Sequence, residues 1–289
     1  NRLHAGVPDP HGLKGLLSVL ARRGEHILSL YEASTLYDLP DVAVDRILFD
    51  LKNRGKLSEQ GMGYKYYKVC PLFQMEEILC GRDGEEAGRL QWMDARREGE
   101  VRDLASEWGI SWEDAAAWLD ELALSGEWKV ELRQIALHLH SQGFDAEDAA
   151  GEFNRYFSRA RQNGLERWEM CVSVLTAASC LNKGVDAYFG FGDSSTPCGH
   201  CPACCGLVPE KPEVRESAPL TGELRAAIME LVGQRKPALA RLSQLTRFLL
   251  GLASPAAMRA RLWNHPLYGA LADRKWEDVW IEARVLLGK

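Results

Sequence analysis

Apolar residues return at helical spacing through most of this chain. In "LKGLLSVLARR" and "HILSLYEAS", between Leu13 and Ser34, they recur every three or four positions. After Pro40, "DLPDVAVDRILFDLKNRGKL" predicts a third helix whose inner face is Val42, Val44, Ile47, Leu48 and Leu51, ended by Gly55. The period then changes to two. "KLSEQGMGYKYYKV" alternates around Gly61 and Gly63 and predicts two short strands joined by a glycine turn. Further on, "GEVRDLASEW" and Trp112–Leu124 predict two helices with Gly109 at the bend and Ser111 as N-cap, and "EWKVEL" and "IALHLH" alternate as strands. Trp112, Trp118 and Trp128 are candidate core residues there.

Three helices closed by a two-stranded hairpin make a winged helix, and the pattern predicts two in tandem. The first spans 1–75 and the second 76–143. A helical segment follows over 144–206, broken at Asn163-Gly164: "DAEDAAGEFNRYFSRARQ", then a helix "RWEMCVSVLTAASC" that ends at Cys180. Residues 207–220, "LVPEKPEVRESAPL", hold three prolines and read as an extended linker. Beyond it, "LRAAIMELVGQRK", "LSQLTRFLLGL", "PAAMRARLW" and "WEDVWIEARVLL" predict a small helical domain over 221–289. The expected fold class is mainly α, with tandem winged-helix (α+β) domains, a helical subdomain and a small C-terminal helical unit.

Charge divides along these same boundaries. The net charge of −6 resolves into +2 for 1–75, −9 for 76–143, −4 for 144–220 and +5 for 221–289. A polyanion would therefore meet the two ends of the chain, and the acidic second module would repel it and serve a protein partner instead. No apolar run reaches the length of a bilayer span, which argues against membrane association. The opening Asn1-Arg2-Leu3-His4 has neither an initiating Met nor a signal-peptide core, so the expectation is a piece of a longer cytoplasmic protein whose thiols stay reduced.

Five of the eight cysteines fall between Cys180 and Gly206. Cys198, Cys201 and Cys204 stand at Cys-x2-Cys-x2-Cys, with Cys180 upstream, among Gly199, Pro202 and Gly206. Two residues between thiolates let a tight turn aim both sulfurs at one ion, and four thiolates suit structural zinc. An iron–sulfur cluster uses the same ligand number, although zinc is the commoner occupant of such spacing. Cys205 and His200 are spare donors that could replace a member of the set. Four sulfurs leave no open position, so such an ion braces rather than catalyses. His138 and His140 alternate on one strand, but two histidines without a third ligand point first to ordinary packing.

Cys180, Tyr188-Phe189-Gly190 and "PCGHCPAC" resemble the zinc-binding subdomain of the RecQ family of DNA helicases over about residues 166–206. Phe191 stands where that family usually has glutamate, and the winged helices here precede the zinc unit instead of following it, as in a divergent bacterial branch. The tail "RLSQLTRFLLGLASPAAMRARLWNHPLYGAL" is similar to the C-terminal end of some bacterial RecQ-like helicases. The resemblance implies zinc on Cys180, Cys198, Cys201 and Cys204. It also implies a motor domain carrying ATP and Mg2+, 3′-to-5′ unwinding in DNA repair and recombination, and a nucleoid-associated location. This chain has no Gly-x4-Gly-Lys-Ser/Thr loop and no Asp-Glu-x-His run, so alone it is not expected to be an enzyme, and no catalytic residue is assigned.

For contact with forked, duplex or single-stranded DNA the candidates are the wing residues Tyr64, Lys65, Tyr66 and Lys68, then Arg46, Lys52 and Arg54 near the preceding helix, and Arg241, Arg247, Arg259 and Arg261 in the tail. Two rival expectations are a zinc-containing winged-helix regulator without a motor, and a scaffold whose acidic middle recruits a protein.

Overall fold

The computed structural model describes residues 1–191, 196–207, 210 and 219–288. Among the described residues it is an α+β structure of helices and one four-stranded antiparallel sheet, divided into two compact units, Pro8–Gly151, which holds the sheet, and Asn1–Val7 with Glu152–Lys289.

The first unit opens with α1 (Pro10–Leu20), started by the Asp9 carboxylate, which accepts from the backbone amides of His11 and Gly12. Leu13, Leu16, Leu17 and Leu20, one face of that helix, are all fully buried. The next stretch departs from its helical pattern. Gly24–Ser29 is a strand, β1, and only Leu30–Tyr37 forms a helix, α2. Ile27 pairs with His138 of a distant strand, so long-range hydrogen bonding overrides the local period there. In α3 (Asp41–Asn53) the buried face is Ala43, Val44, Ile47, Leu48 and Leu51. Val42 is 80% exposed, because it lies two residues and about 200° around the helix from Val44.

The predicted hairpin is instead a single strand. β2 (Leu57–Pro71) runs 15 residues without a turn. After α4 (Gly84–Arg96), the strand β3 (Glu98–Glu100), α5 (Val101–Trp108) and α6 (Trp112–Leu124), β4 (Trp128–Ser141) is likewise one strand, not two. β2 and β4 pair antiparallel from Leu57↔Ser141 to Pro71↔Trp128, and the sheet order is β1-β4-β2-β3. The stretches read as separate winged helices, 1–75 and 76–143, therefore share one sheet.

Gly61 and Gly63 lie within that ladder, Gly61 beside a register irregularity after Glu59. Their role is close approach of α6. A Cβ on Gly63 would sit 2.6 Å from a ring carbon of Trp112, and one on Gly61 would sit 3.3 Å from Glu113 Oε1. Trp112 can thus settle at 6% exposure among Tyr67, Val69, Leu104, Leu119, Trp128 and Ala136. The bend between α5 and α6 is as the pattern predicts: Gly109 adopts φ 64°, and Ser111 accepts from the Asp114 amide at 3.0 Å. Trp118 is half-buried and packs edge-on to Trp108 instead of joining Trp112 and Trp128 in the core.

The boundary between the units falls within α7 (Ala146–Leu175), a 30-residue helix that passes through Asn163-Gly164 without the expected break. Gly164 instead admits Leu3, whose Cδ2 would be 3.1 Å from an added Cβ. α8 (Leu181–Phe189) follows. Most of the expected linker lies outside the described residues. α9 (Gly222–Gly233), α10 (Leu242–Leu249), a short helix over Pro255–Arg259 and α11 (Trp276–Leu286) match the predicted C-terminal helices and bury Ile228, Leu231, Leu245, Phe248, Leu262, Leu271 and Val279.

Substituting Gly63→Val tests the close packing of α6 on β2. A β-branched residue suits a strand, yet here it collides with Trp112, so thermal unfolding should report a loss of about 1–3 kcal/mol. Wild-type stability in Gly63→Val would show that the helix does not lean on that position.

Candidate metal centre

Cys180 stands at the N-terminal end of α8, not at the end of the preceding helix as the sequence suggests; α7 stops at Leu175. The difference matters chemically, because helix N-termini present unpaired amides and positive potential to an anion. Cys198, Cys201 and Cys204 follow in a knuckle where Gly199 and Gly206 both adopt positive φ. The four sulfurs lie within 4.8 Å of one another, and Cys198 Sγ and Cys204 Sγ are 4.0 Å apart. Metal–sulfur bonds of about 2.3 Å in a tetrahedron set sulfurs about 3.8 Å apart, so the set suits a single ion. In a multi-iron cluster the thiolates reach different irons and need a wider frame.

Backbone amides aim at the sulfurs. Cys198 N–H donates to Cys180 Sγ at 3.3 Å, and both Leu181 N–H and Cys204 N–H donate to Cys201 Sγ at 3.4 Å. The Cys198 amide, then that of Lys183, pull the Cys180 thiol down to about 6. The Leu181 and Cys204 amides lower Cys201 in the same way. At Cys204 a Gly199 backbone hydrogen bond acts downward, but the Cys201 thiol, burial and the other two thiols push it up to about 12. The cluster thus holds protons that an incoming cation must displace. The spare donors stay outside it. His200 is exposed with Nδ1 bonded to Cys198 O at 2.7 Å, and Cys205 is exposed with its thiol 3.9 Å from Gly199 O. Four thiolates fill a tetrahedron and leave no coordination position for substrate.

The candidate DNA contacts are divided between the two units. With the hairpin gone, the wing residues sit within β2, among carboxylates. Lys65 Nζ pairs with Glu32 and lies 3.8 Å from Glu100, and Tyr66 OH donates to Glu32 at 2.7 Å. Burial opposes it, yet the Glu32 hydrogen bond holds the Lys65 ammonium above its usual range. Lys68 faces Glu98 at 3.7 Å, Lys52 meets Glu59 at 2.7 Å and Arg54 meets Asp50 at 2.7 Å. Tyr64 is half-buried, while Arg46 is exposed with its guanidinium over the Phe49 ring. In the other unit Arg247, expected on a basic face, is 2% exposed and donates to Val7 O at 2.8 Å, so it belongs to the core. Arg241 is half-buried at the start of α10; Arg259 and Arg261 are exposed.

One feature beside the cysteines escaped the residue pattern. Met170, Val174 and Leu175 of α7 and Val185, Tyr188 and Phe189 of α8 line an apolar groove of about 380 Å³, with Tyr188 58% and Phe189 65% exposed. Helical periodicity alone assigns such residues to a core; only the packing leaves them open. Among the described residues no helix is long and apolar enough to cross a membrane. No protein-family model matches the chain, and no curated protein matches it.

A Cys201→Ser chain should purify with well under one equivalent of metal and expose Cys180, Cys198 and Cys204 to alkylation, whereas the native chain protects four thiols. Because the ligands must lose protons to bind, acidification from neutral pH should release the ion. Equal thiol protection in both proteins would remove the metal centre.

Proposed function

We propose that this chain is the zinc- and DNA-binding accessory region of a RecQ-like, ATP-dependent 3′-to-5′ DNA helicase, and that the ion held by Cys180, Cys198, Cys201 and Cys204 is zinc. The observation that carries the reading is the closed four-sulfur cage at the start of α8, the helix that carries Tyr188 and Phe189. A divalent ion there ties the α8 N-terminus to the knuckle and holds the exposed apolar side of α7 and α8 in shape. That side is where the helicase motor would dock, since an open aromatic face loses contact with water when a partner covers it. An all-thiolate tetrahedron favours zinc over hard oxygen-seeking cations, and its closed coordination suits a brace.

The DNA contact in this reading centres on Arg259 and Arg261, because the β2 lysines already answer to carboxylates. Phosphate would have to compete with Glu32, Glu98 and Glu100 for Lys65 and Lys68. The same neutralisation favours one alternative, a scaffold whose acidic segment recruits a protein and which binds no fork.

Forked DNA separates the two readings. The DNA reading expects binding that weakens at least tenfold between about 50 and 200 mM salt, with Arg259→Glu plus Arg261→Glu lowering affinity across sequences and reducing the salt slope by about 2. Lys65→Glu plus Lys68→Glu should change affinity less. No measurable fork binding at low salt would leave the scaffold reading in its place.

A further inference from the structure

His138 occupies an arrangement that ordinary packing does not account for. It lies on β4 with its side chain 9% exposed, and its two ring nitrogens face two carboxylates from different elements. Nδ1 hydrogen-bonds Glu113 of α6, and Nε2 lies 3.6 Å from Glu25 Oε2 of β1. Room for Glu113 comes from Gly61, the residue paired with His138 on β2, whose missing side chain lets the carboxylate reach the ring. The Trp112 ring packs edge-on against the imidazole, with centroids 5.9 Å apart.

With Nδ1 engaged by Glu113, Nε2 is the ring nitrogen left to ligate, and its 3.6 Å distance from Glu25 Oε2 is about the separation of two ligands on one ion at bonds of about 2.0–2.2 Å. His140 stands on the same face of β4, since alternate residues of a strand share a face, and its direct cross-strand partner on β1 is Glu25. Two imidazoles and a carboxylate therefore border one spot on the β1–β4 surface. Metal-ligating histidines characteristically give their second ring nitrogen to a carboxylate, which is the position Glu113 holds.

We propose that His138 Nε2, His140 and Glu25 form a second metal site, selective for a divalent cation of the zinc and cobalt class, with Glu113 as a positioning residue that holds the His138 ring. Nitrogen and oxygen donors in this ratio suit that class, and three protein ligands leave a fourth position to water. Unlike the preassembled sulfur cage, this site closes on binding. Glu25 Oε2 already stands 3.6 Å from His138 Nε2, so it is the His140 ring that has to turn toward them, and an ion held by all three would clip β1 to β4. The site is independent of the cysteine cluster and of the helicase reading.

Cobalt(II) is the probe. The full chain, carrying its cysteine-held ion and freed of loosely bound metal, should take up one further equivalent of Co2+, with visible absorption typical of nitrogen and oxygen ligands and no thiolate charge-transfer band. His140→Ala, at a half-buried position, and Glu25→Gln, at an exposed one, should each abolish that equivalent, and Glu25→Gln should leave the metal-free melting curve unchanged. Glu113→Gln should weaken it about 10- to 100-fold. The absence of a further equivalent at millimolar Co2+, uptake that survives in His140→Ala and Glu25→Gln, or a thiolate band on the added ion would each overturn the proposal.

Discussion

The antiparallel ladder between β2 and β4 is the constraint on which the first unit depends. β2 runs 15 residues and β4 14, and their pairing joins segments some seventy residues apart in the chain. Once it forms, β1 has one free edge of β4 to join and β3 one free edge of β2. The helices then take what the sheet leaves: α6 settles over the two glycines of β2, and its Trp112 and Glu113 reach positions that any larger residue at Gly63 or Gly61 would contest. The β1–β4 and β2–β3 pairings then bring His138 beside Glu25 and Lys65 beside Glu100, so the electrostatics of the unit follow from the register of its sheet.

The cysteine cluster has the opposite character. Three of its ligands lie within seven residues, and the fourth is brought in by the short helix α8. Glycines at positive φ bend the knuckle, and amides that have no helical partner turn toward the sulfurs. Local chain geometry is enough to gather the donors, which is why spacing alone identified them. The amides of Cys198 and Lys183 draw the Cys180 thiol down to about 6, while at Cys204 a Gly199 backbone hydrogen bond is outweighed by the Cys201 thiol, burial and the other two thiols, which push the thiol up to about 12. A cation would take all four as thiolates.

Charge tells a third story. The basic residues of the first 75 positions count toward a net positive segment in sequence, yet in three dimensions several of them meet acids from helices and strands of their own unit. An exposed pair such as Lys68–Glu98 adds little stability. The consequence of such pairing is for recognition, since a lysine already paired offers a phosphate less than its formal charge suggests. The basic tail keeps Arg259 and Arg261 at the surface, while Arg247 is drawn inside.

What the sequence determined by itself was everything that depends on near neighbours: the helices of the C-terminal domain, the leucine face of α1, the bend at Gly109 with its Ser111 cap, and the four sulfur ligands. In each, the interacting groups lie within a few turns of chain, so spacing is geometry. Residues whose partners are remote took their meaning from packing. Gly61 and Gly63 carry the composition of a turn, but a ladder bond from β4 straightens them and α6 explains their small size. Ile27 sits in a helical pattern until β4 offers it an edge, and Asn163-Gly164 sits in a breaker pattern until the packing of Leu3 gives the glycine a use inside α7. Local preferences are worth a fraction of a kcal/mol per residue, and a shared sheet or a filled core outweighs them.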